Sequence, residues 1–144
     1  MLVHQILKSK GDDAVVTVPP GTSIREAAEV LANRRIGTVI ISRDGQQALG
    51  ILSERDIVRE LAQRGAGILT ETVDSYMTSQ LVTCSRDASA DAVLTTMTEK
   101  RFRHMPVVED GQLVGIVTIG DVVKARLSEL AMEKDALEGM IMGY

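Results

Sequence analysis

Two stretches of the chain place a hydroxyl residue three positions before an aspartate, each behind a glycine and two aliphatic residues. They are Gly50-Ile51-Leu52-Ser53-Glu54-Arg55-Asp56 and Gly115-Ile116-Val117-Thr118-Ile119-Gly120-Asp121. If a strand passes into a helix at Ser53 and Thr118, unpaired amides and the positive end of the helix dipole favour an anion such as phosphate there. One turn on, Asp56 and Asp121 offer carboxylate oxygens that can accept from both hydroxyls of a ribose-type diol, a charge-assisted pairing. Gly50 and Gly115 could let a ligand approach the backbone closely. The same spacing is also a Ser/Thr-x-x-Asp capping box, in which the hydroxyl caps the helix and the acid reaches back to the cap amide. Capping alone explains the spacing, and the two roles are compatible.

The elements that must position these residues are duplicated as well. At an offset of 66 residues, "VVTVPPGTS" from Val15 lies over "LVTCSRDAS" from Leu81, and "RRIGTVIISRDGQ" from Arg34 over "KRFRHMPVVEDGQ" from Lys100. One extra residue near Gln47 shifts the offset to 65 for the closing motif, and an insertion costs least in such a turn. Periodicity predicts a strand over Val15 to Val18, a turn at "PPG", and a helix carrying Ile24, Ala27, Ala28 and Leu31 on one face. Strands over "TVII" and "ALGILS" follow, joined at "DG", and "ERDIVRELAQR" closes the unit as a second helix. The second unit repeats this β-α-β-β-α order: strand Leu81 to Cys84, helix Ala90 to Arg101, strands Met105 to Glu109 and Leu113 to Thr118, then a helix from about Ile119. The expected division is repeat 1 over 3–66, a connector with a short helix over 67–80, repeat 2 over 81–131 and a helical extension over 132–144.

The 144 residues suit two intimately packed halves, because each alone would be close to the lower size limit for a self-supporting core. A net charge of −4 argues against a nucleic-acid partner, and one Phe, two Tyr and no Trp leave no stacking platforms for single strands. No apolar run approaches the roughly 18 residues of a membrane span, and the start lacks the charged and apolar regions of a signal peptide. A cytoplasmic protein without membrane association is expected. Cys84, the only cysteine, reads as a small buried hydrophobe in a strand. His4 reads as a surface residue, and no Ser-His-Asp, HExxH or P-loop pattern is present. No enzyme activity and no metal requirement are expected.

With the order of elements, both copies of the motif and the segment "RHMPVVEDGQLVGIV" in view, the chain resembles a tandem pair of CBS domains, from about Val3 to Ala131. The resemblance implies an α/β (α+β) fold, two β-α-β-β-α repeats packed sheet to sheet about a pseudo-twofold axis. Such pairs, often called Bateman modules, bind adenosyl ligands (AMP, ADP, ATP, NAD or S-adenosylmethionine) in the clefts between repeats and usually regulate something else, as energy or redox sensors. By the same resemblance Asp56 and Asp121 hold ribose, and Ser53 and Thr118 help with phosphate. Arg103 and His104 stand where the family places a basic phosphate contact. The first repeat has Gly37 and Thr38 at those positions, and Ile40 in place of Pro106, while Arg55 there could reach phosphate and its counterpart Gly120 cannot. The two clefts are therefore expected to differ, with the Thr118/Asp121 cleft the better AMP-like site. Thr17 and Thr83, at matching strand ends, are further candidates for adenine contacts, although strand propensity explains them nearly as well.

Beyond the second motif, Val123, Leu127, Leu130, Leu137 and Ile141 make an apolar stripe at helical spacing, interrupted by Lys134. It must pack on its own module or on a second subunit, and dimers are common among CBS pairs, so a homodimer is expected. The leading functional reading is a ligand-sensing module that binds AMP, with ATP, ADP or NAD as alternatives, and acts on a protein target in trans. Its competitor is a structural or protein-interaction dimer whose motifs only cap helices. An oxidoreductase related to inosine monophosphate dehydrogenase is set aside, because the chain is too short for a catalytic barrel of roughly 200 residues or more.

Overall fold

The computed structural model describes residues 1–11 and 15–142. Helix α1 (Val3–Lys10) leads into β1 (Thr17–Val18), α2 (Ile24–Arg34), β2 (Thr38–Ile41), β3 (Gly50–Ser53) and α3 (Glu54–Arg64). Two short 3-10 turns, Ala66–Thr70 and Val73–Ser75, precede α4 (Ala90–Lys100), β4 (His104–Glu109), β5 (Gln112–Thr118) and the 24-residue α5 (Ile119–Met142). Mixed α/β architecture with two related repeats is thus observed. Residues 143 and 144 of the expected extension lie outside the described residues.

Of the described residues, 15–82 and 108–114 form one compact unit, and 1–11, 83–107 and 115–142 form another. In the first, β1 pairs parallel with β2 and β2 antiparallel with β3, in the register Thr17↔Ile40 and Thr38↔Ser53. The core is aliphatic: Val18, Ile24, Ala27, Leu31, Val39, Ile41, Leu52, Ile57, Ile68 and Val73. Ser23 caps α2 through its Oγ, which accepts from the Glu26 amide at 3.1 Å. In the second unit Ala90, Val93, Met97, Met105, Val107, Val117 and Val122 are buried at the positions that Ile24, Ala27, Leu31, Val39, Ile41, Leu52 and Ile57 hold in the first. The offset of 66, then 65, therefore maps core onto core as well as motif onto motif.

Three expectations change. The strand expected over Leu81 to Cys84 is reduced to a single parallel bridge, Cys84↔Val107, with the Cys84 amide donating to the Pro106 carbonyl at 3.1 Å. The cause is the exchange of Ile40 for Pro106. The Ile40 amide donates to the Val16 carbonyl at 3.1 Å and extends the β1 ladder upstream. Proline has no N–H, so the matching bond has no donor. Cys84 is accordingly half-buried rather than fully buried.

The second change concerns the opening segment, expected in repeat 1, which forms α1 in the unit of repeat 2. The Val3 amide donates to the Ala88 carbonyl at 2.9 Å, the Ala90 amide to the Met1 carbonyl at 2.9 Å, and Leu2 bridges Ser89. In the other unit Val73 donates to Thr22 at 2.8 Å, Ile24 to Glu71 at 2.9 Å, and Thr72 bridges Ser23. Residues 1–7 and 71–77 are therefore equivalent at an offset of 70. Each segment caps the repeat that does not follow it directly. His4 is exposed on α1. Thirdly, the connector forms two 3-10 turns rather than one short helix.

Candidate functional site

Both hydroxyl-to-aspartate motifs lie at a strand-to-helix junction, β3 into α3 and β5 into α5. The Ser53 amide donates to Asp56 Oδ2 at 2.9 Å and the Asp56 amide to Ser53 Oγ at 3.1 Å. Thr118 and Asp121 repeat the pair with the same two distances. Both capping boxes are formed, as the spacing required. A further amide is taken by the backbone: Glu54 N–H donates to Gly37 O at 2.9 Å, and Ile119 N–H to Arg103 O at 2.8 Å. Gly37 and Arg103 thus enter the junctions through their carbonyls. Of the four amides that a helix start presents, three are engaged in each motif, and the fourth belongs to Arg55 or Gly120.

The glycines serve a purpose different from the one expected. A Cβ on Gly50 would stand 2.8 Å from Met77 Cγ and closer still to its sulfur, and a Cβ on Gly115 would stand 2.8 Å and 2.9 Å from the two methyl carbons of Leu7. Both glycines admit a protein side chain. Met77 and Leu7 are equivalents at the offset of 70, so the exchanged segments are what bring them there. The space that a Cβ would take at each glycine is occupied by these side chains.

The carboxylates differ in their cations. Arg59 Nη2 donates to Asp56 Oδ1 at 2.8 Å from the same helix, with its side chain 55% exposed. Lys10 of α1 places Nζ 2.8 Å from Asp121 Oδ2 and 3.0 Å from the Ile116 carbonyl, with its side chain only 17% exposed. In the first repeat the corresponding carbonyl, of Ile51, accepts instead from the Thr78 amide at 2.9 Å. Burial raises the Asp121 carboxyl, but the Lys10 ammonium and the Thr118 donors outweigh burial and hold it below the ordinary aspartate value. Nothing local in the sequence around Asp121 points to Lys10. Its signal is the weak echo of "VHQIL" in "VDSYM".

Of the remaining candidates, Thr38 is buried on β2 opposite Ser53, and its Oγ1 is enclosed with no hydrogen-bond partner among the described residues. A buried hydroxyl in that state costs roughly 1–3 kcal/mol, so its position beside the Ser53 motif is informative. Thr17 is half-buried on β1, Thr83 is exposed one residue before the Cys84 bridge, His104 is half-buried at the start of β4, and the Arg55 and Arg103 side chains are exposed. Among the described residues no helix is long and apolar enough to cross a membrane.

The family model described as "CBS domain" matches the chain twice, over residues 11–63 and 73–128. Among curated relatives, the mitochondrial CBS domain-containing protein CBSX3 of Arabidopsis thaliana is 30% identical, over 98% of this chain and 72% of its own. Among solved structures, the CBS-domain containing protein ATU1752 of Agrobacterium tumefaciens superposes with a TM-score of 0.82 at 45% identity, covering 88% of this chain and 99% of its own. The CBS domain protein PAE2072 of Pyrobaculum aerophilum, solved with AMP, gives 0.78 at 28% identity, with 92% and 99% covered. The CBS domain pair of protein MJ0100, solved with 5-methylthioadenosine and S-adenosyl-L-methionine, gives 0.77 at 29%, with 90% and 98% covered. Two matches to one domain model, a core and a capped junction that repeat position by position, and structural neighbours built the same way lead to one assignment: this chain belongs to the CBS-domain family and carries the domain twice.

Proposed function

We propose that the protein is a regulatory module that binds an adenosyl ligand at its Ser53/Asp56 and Thr118/Asp121 junctions and acts on a protein target in trans, as an energy or redox sensor. AMP is the leading ligand, with ADP, ATP and NAD next. The observation that carries the reading is that both junctions keep, among the described residues, one helix amide without a partner beside an aspartate carboxyl, at Arg55/Asp56 and Gly120/Asp121, in a family whose solved members include one bound to AMP and one bound to S-adenosyl-L-methionine. The buried, unpartnered Thr38 hydroxyl adds a polar atom that a ligand would satisfy at the first junction. In this reading the aspartates receive the ribose diol, and Ser53 and Thr118 with the helix amides receive phosphate. Arg55 at the first junction, and Arg103 with His104 at the second, offer basic side chains to the phosphate. Thr17 and Thr83 border the adenine, and Gly37 and Thr38 replace the basic pair in the first repeat. The module is non-catalytic, works in the cytoplasm and forms a homodimer through α5.

A thermal-shift series on the full chain tests this. AMP at about 100 times its dissociation constant adds roughly 2.7 kcal/mol of stability, and Asp121→Ala removes most of that shift while the chain stays folded. If no adenosyl ligand shifts the wild type, the alternative stands: a structural or interaction dimer. That alternative draws on the completed capping boxes and on the exposed apolar residues of α5.

A further inference from the structure

We infer that Lys10 sets the charge preference of the second junction, selecting an adenosyl ligand with an anionic 5′ group over one with a cationic sulfonium. This rests on the reading of Thr118 and Asp121 as an adenosyl site. The two motif strands differ at a carbonyl on their edge. In the first repeat a neutral backbone amide, that of Thr78, satisfies the Ile51 carbonyl, whereas in the second an ammonium, that of Lys10, satisfies the Ile116 carbonyl. Exchanging an amide for an ammonium adds one full positive charge to the second junction that the first does not have in that place.

That charge is held in position. Nζ is fixed between the Ile116 carbonyl and Asp121 Oδ2, and the side chain is mostly shielded from solvent. Arg59, the cation on Asp56, is more than half exposed on its own helix and is screened accordingly. Asp121 is the third residue of α5, so Lys10 sits within about one helical turn, 5.4 Å of rise, of the Gly120 amide where a 5′ group would be received. This is shorter than the screening length of about 8 Å at physiological salt. With Lys10 present the carboxylate is balanced and a phosphate meets little opposing charge. Without it, a bare aspartate repels phosphate and attracts a sulfonium.

The test titrates AMP, S-adenosylmethionine and 5′-methylthioadenosine, which has a neutral 5′ group, calorimetrically into the full-length wild type, Lys10→Met and Lys10→Arg at one ionic strength. Lys10→Met should weaken AMP by about tenfold and strengthen S-adenosylmethionine by severalfold, as expected for one unit charge at this range. Methylthioadenosine should move by less than about twofold, and Lys10→Arg should keep the wild-type order. If Lys10 merely anchors α1, all three ligands weaken together, and the inference is overturned. It is equally overturned if none of them moves. Should Lys10→Met fail to fold, Lys10→Gln carries the same comparison. Failure of the adenosyl reading is visible separately, since the wild type would then bind none of the three and both proposals would fall.

Discussion

Met77 packs directly over the backbone of Gly50, its Cγ 2.8 Å from where a Cβ would stand, and Leu7 does the same over Gly115. The motif glycine is therefore a packing requirement set by a residue distant in sequence. Gly50→Ala and Gly115→Ala should each destabilise the chain by about 1–3 kcal/mol, the usual cost of overpacking, as read by urea denaturation. Gly50→Ala combined with Met77→Ala should recover part of that loss. Unchanged stability together with lost ligand affinity would instead make these glycines ligand contacts.

Asp121 should leave its mark on acid stability. Its carboxyl is held below the ordinary value, with burial opposed and exceeded by Lys10 and Thr118. A depressed folded-state value contributes stability that is fully present above the unfolded value of about 3.9 and is lost as pH falls through the folded one. The stability difference between the wild type and Asp121→Asn should thus be constant near neutral pH and shrink below about pH 4. A difference independent of pH down to pH 2 would remove the ion pair from the account.

Two arginines close their helices in the left-handed conformation, Arg35 at φ 53° after α2 and Arg101 at φ 58° after α4. They are equivalents at the offset of 66, and each bears a Cβ where glycine would be unstrained. Arg35→Gly and Arg101→Gly should each stabilise by about 0.5–1 kcal/mol, once the greater freedom of glycine in the unfolded chain is counted. Chemical denaturation of the single variants and the pair would show this, with the two effects additive. A loss of stability at either site would mean that the arginine side chain contributes more than its backbone costs.

The distal part of α5 carries Leu127, Leu137 and Ile141 at 62%, 59% and 82% exposure. Nothing among the described residues covers these side chains, which is the observation behind the proposed homodimer. Leu137→Glu should shift sedimentation from dimer to monomer, while the melting of the monomer should change by no more than about 0.5 kcal/mol, as for other exposed positions. Unchanged sedimentation would remove this stretch from the interface.

What the chain's sequence determined by itself was local or periodic. Helices α2 and α4 begin where Ser23 and Ser89 cap them and where the 3.6-residue spacing of buried residues starts. The two Ser/Thr-x-x-Asp boxes close as their spacing demands, because a cap involves only residues within one turn. The doubled pattern also placed the core, since the same offset that aligns the motifs aligns Leu31 with Met97 and Ile57 with Val122.

Tertiary structure decided what joins residues far apart in the chain. Lys10 reaches Asp121, Leu7 and Met77 fill the space above the motif glycines, and the opening helix attaches to the repeat that does not follow it. No short-range rule sees a side chain that lies many turns away along the chain, and the echo between residues 1–7 and 71–77 is too weak to align without the backbone hydrogen bonds they share. Pro106 lies between the two cases. Its missing N–H was legible in the sequence, but only the register Cys84↔Val107 turned it into a strand reduced to one bridge. The two junctions share their local chemistry because the repeats share their sequence. They differ in charge because Lys10 arrives through the fold.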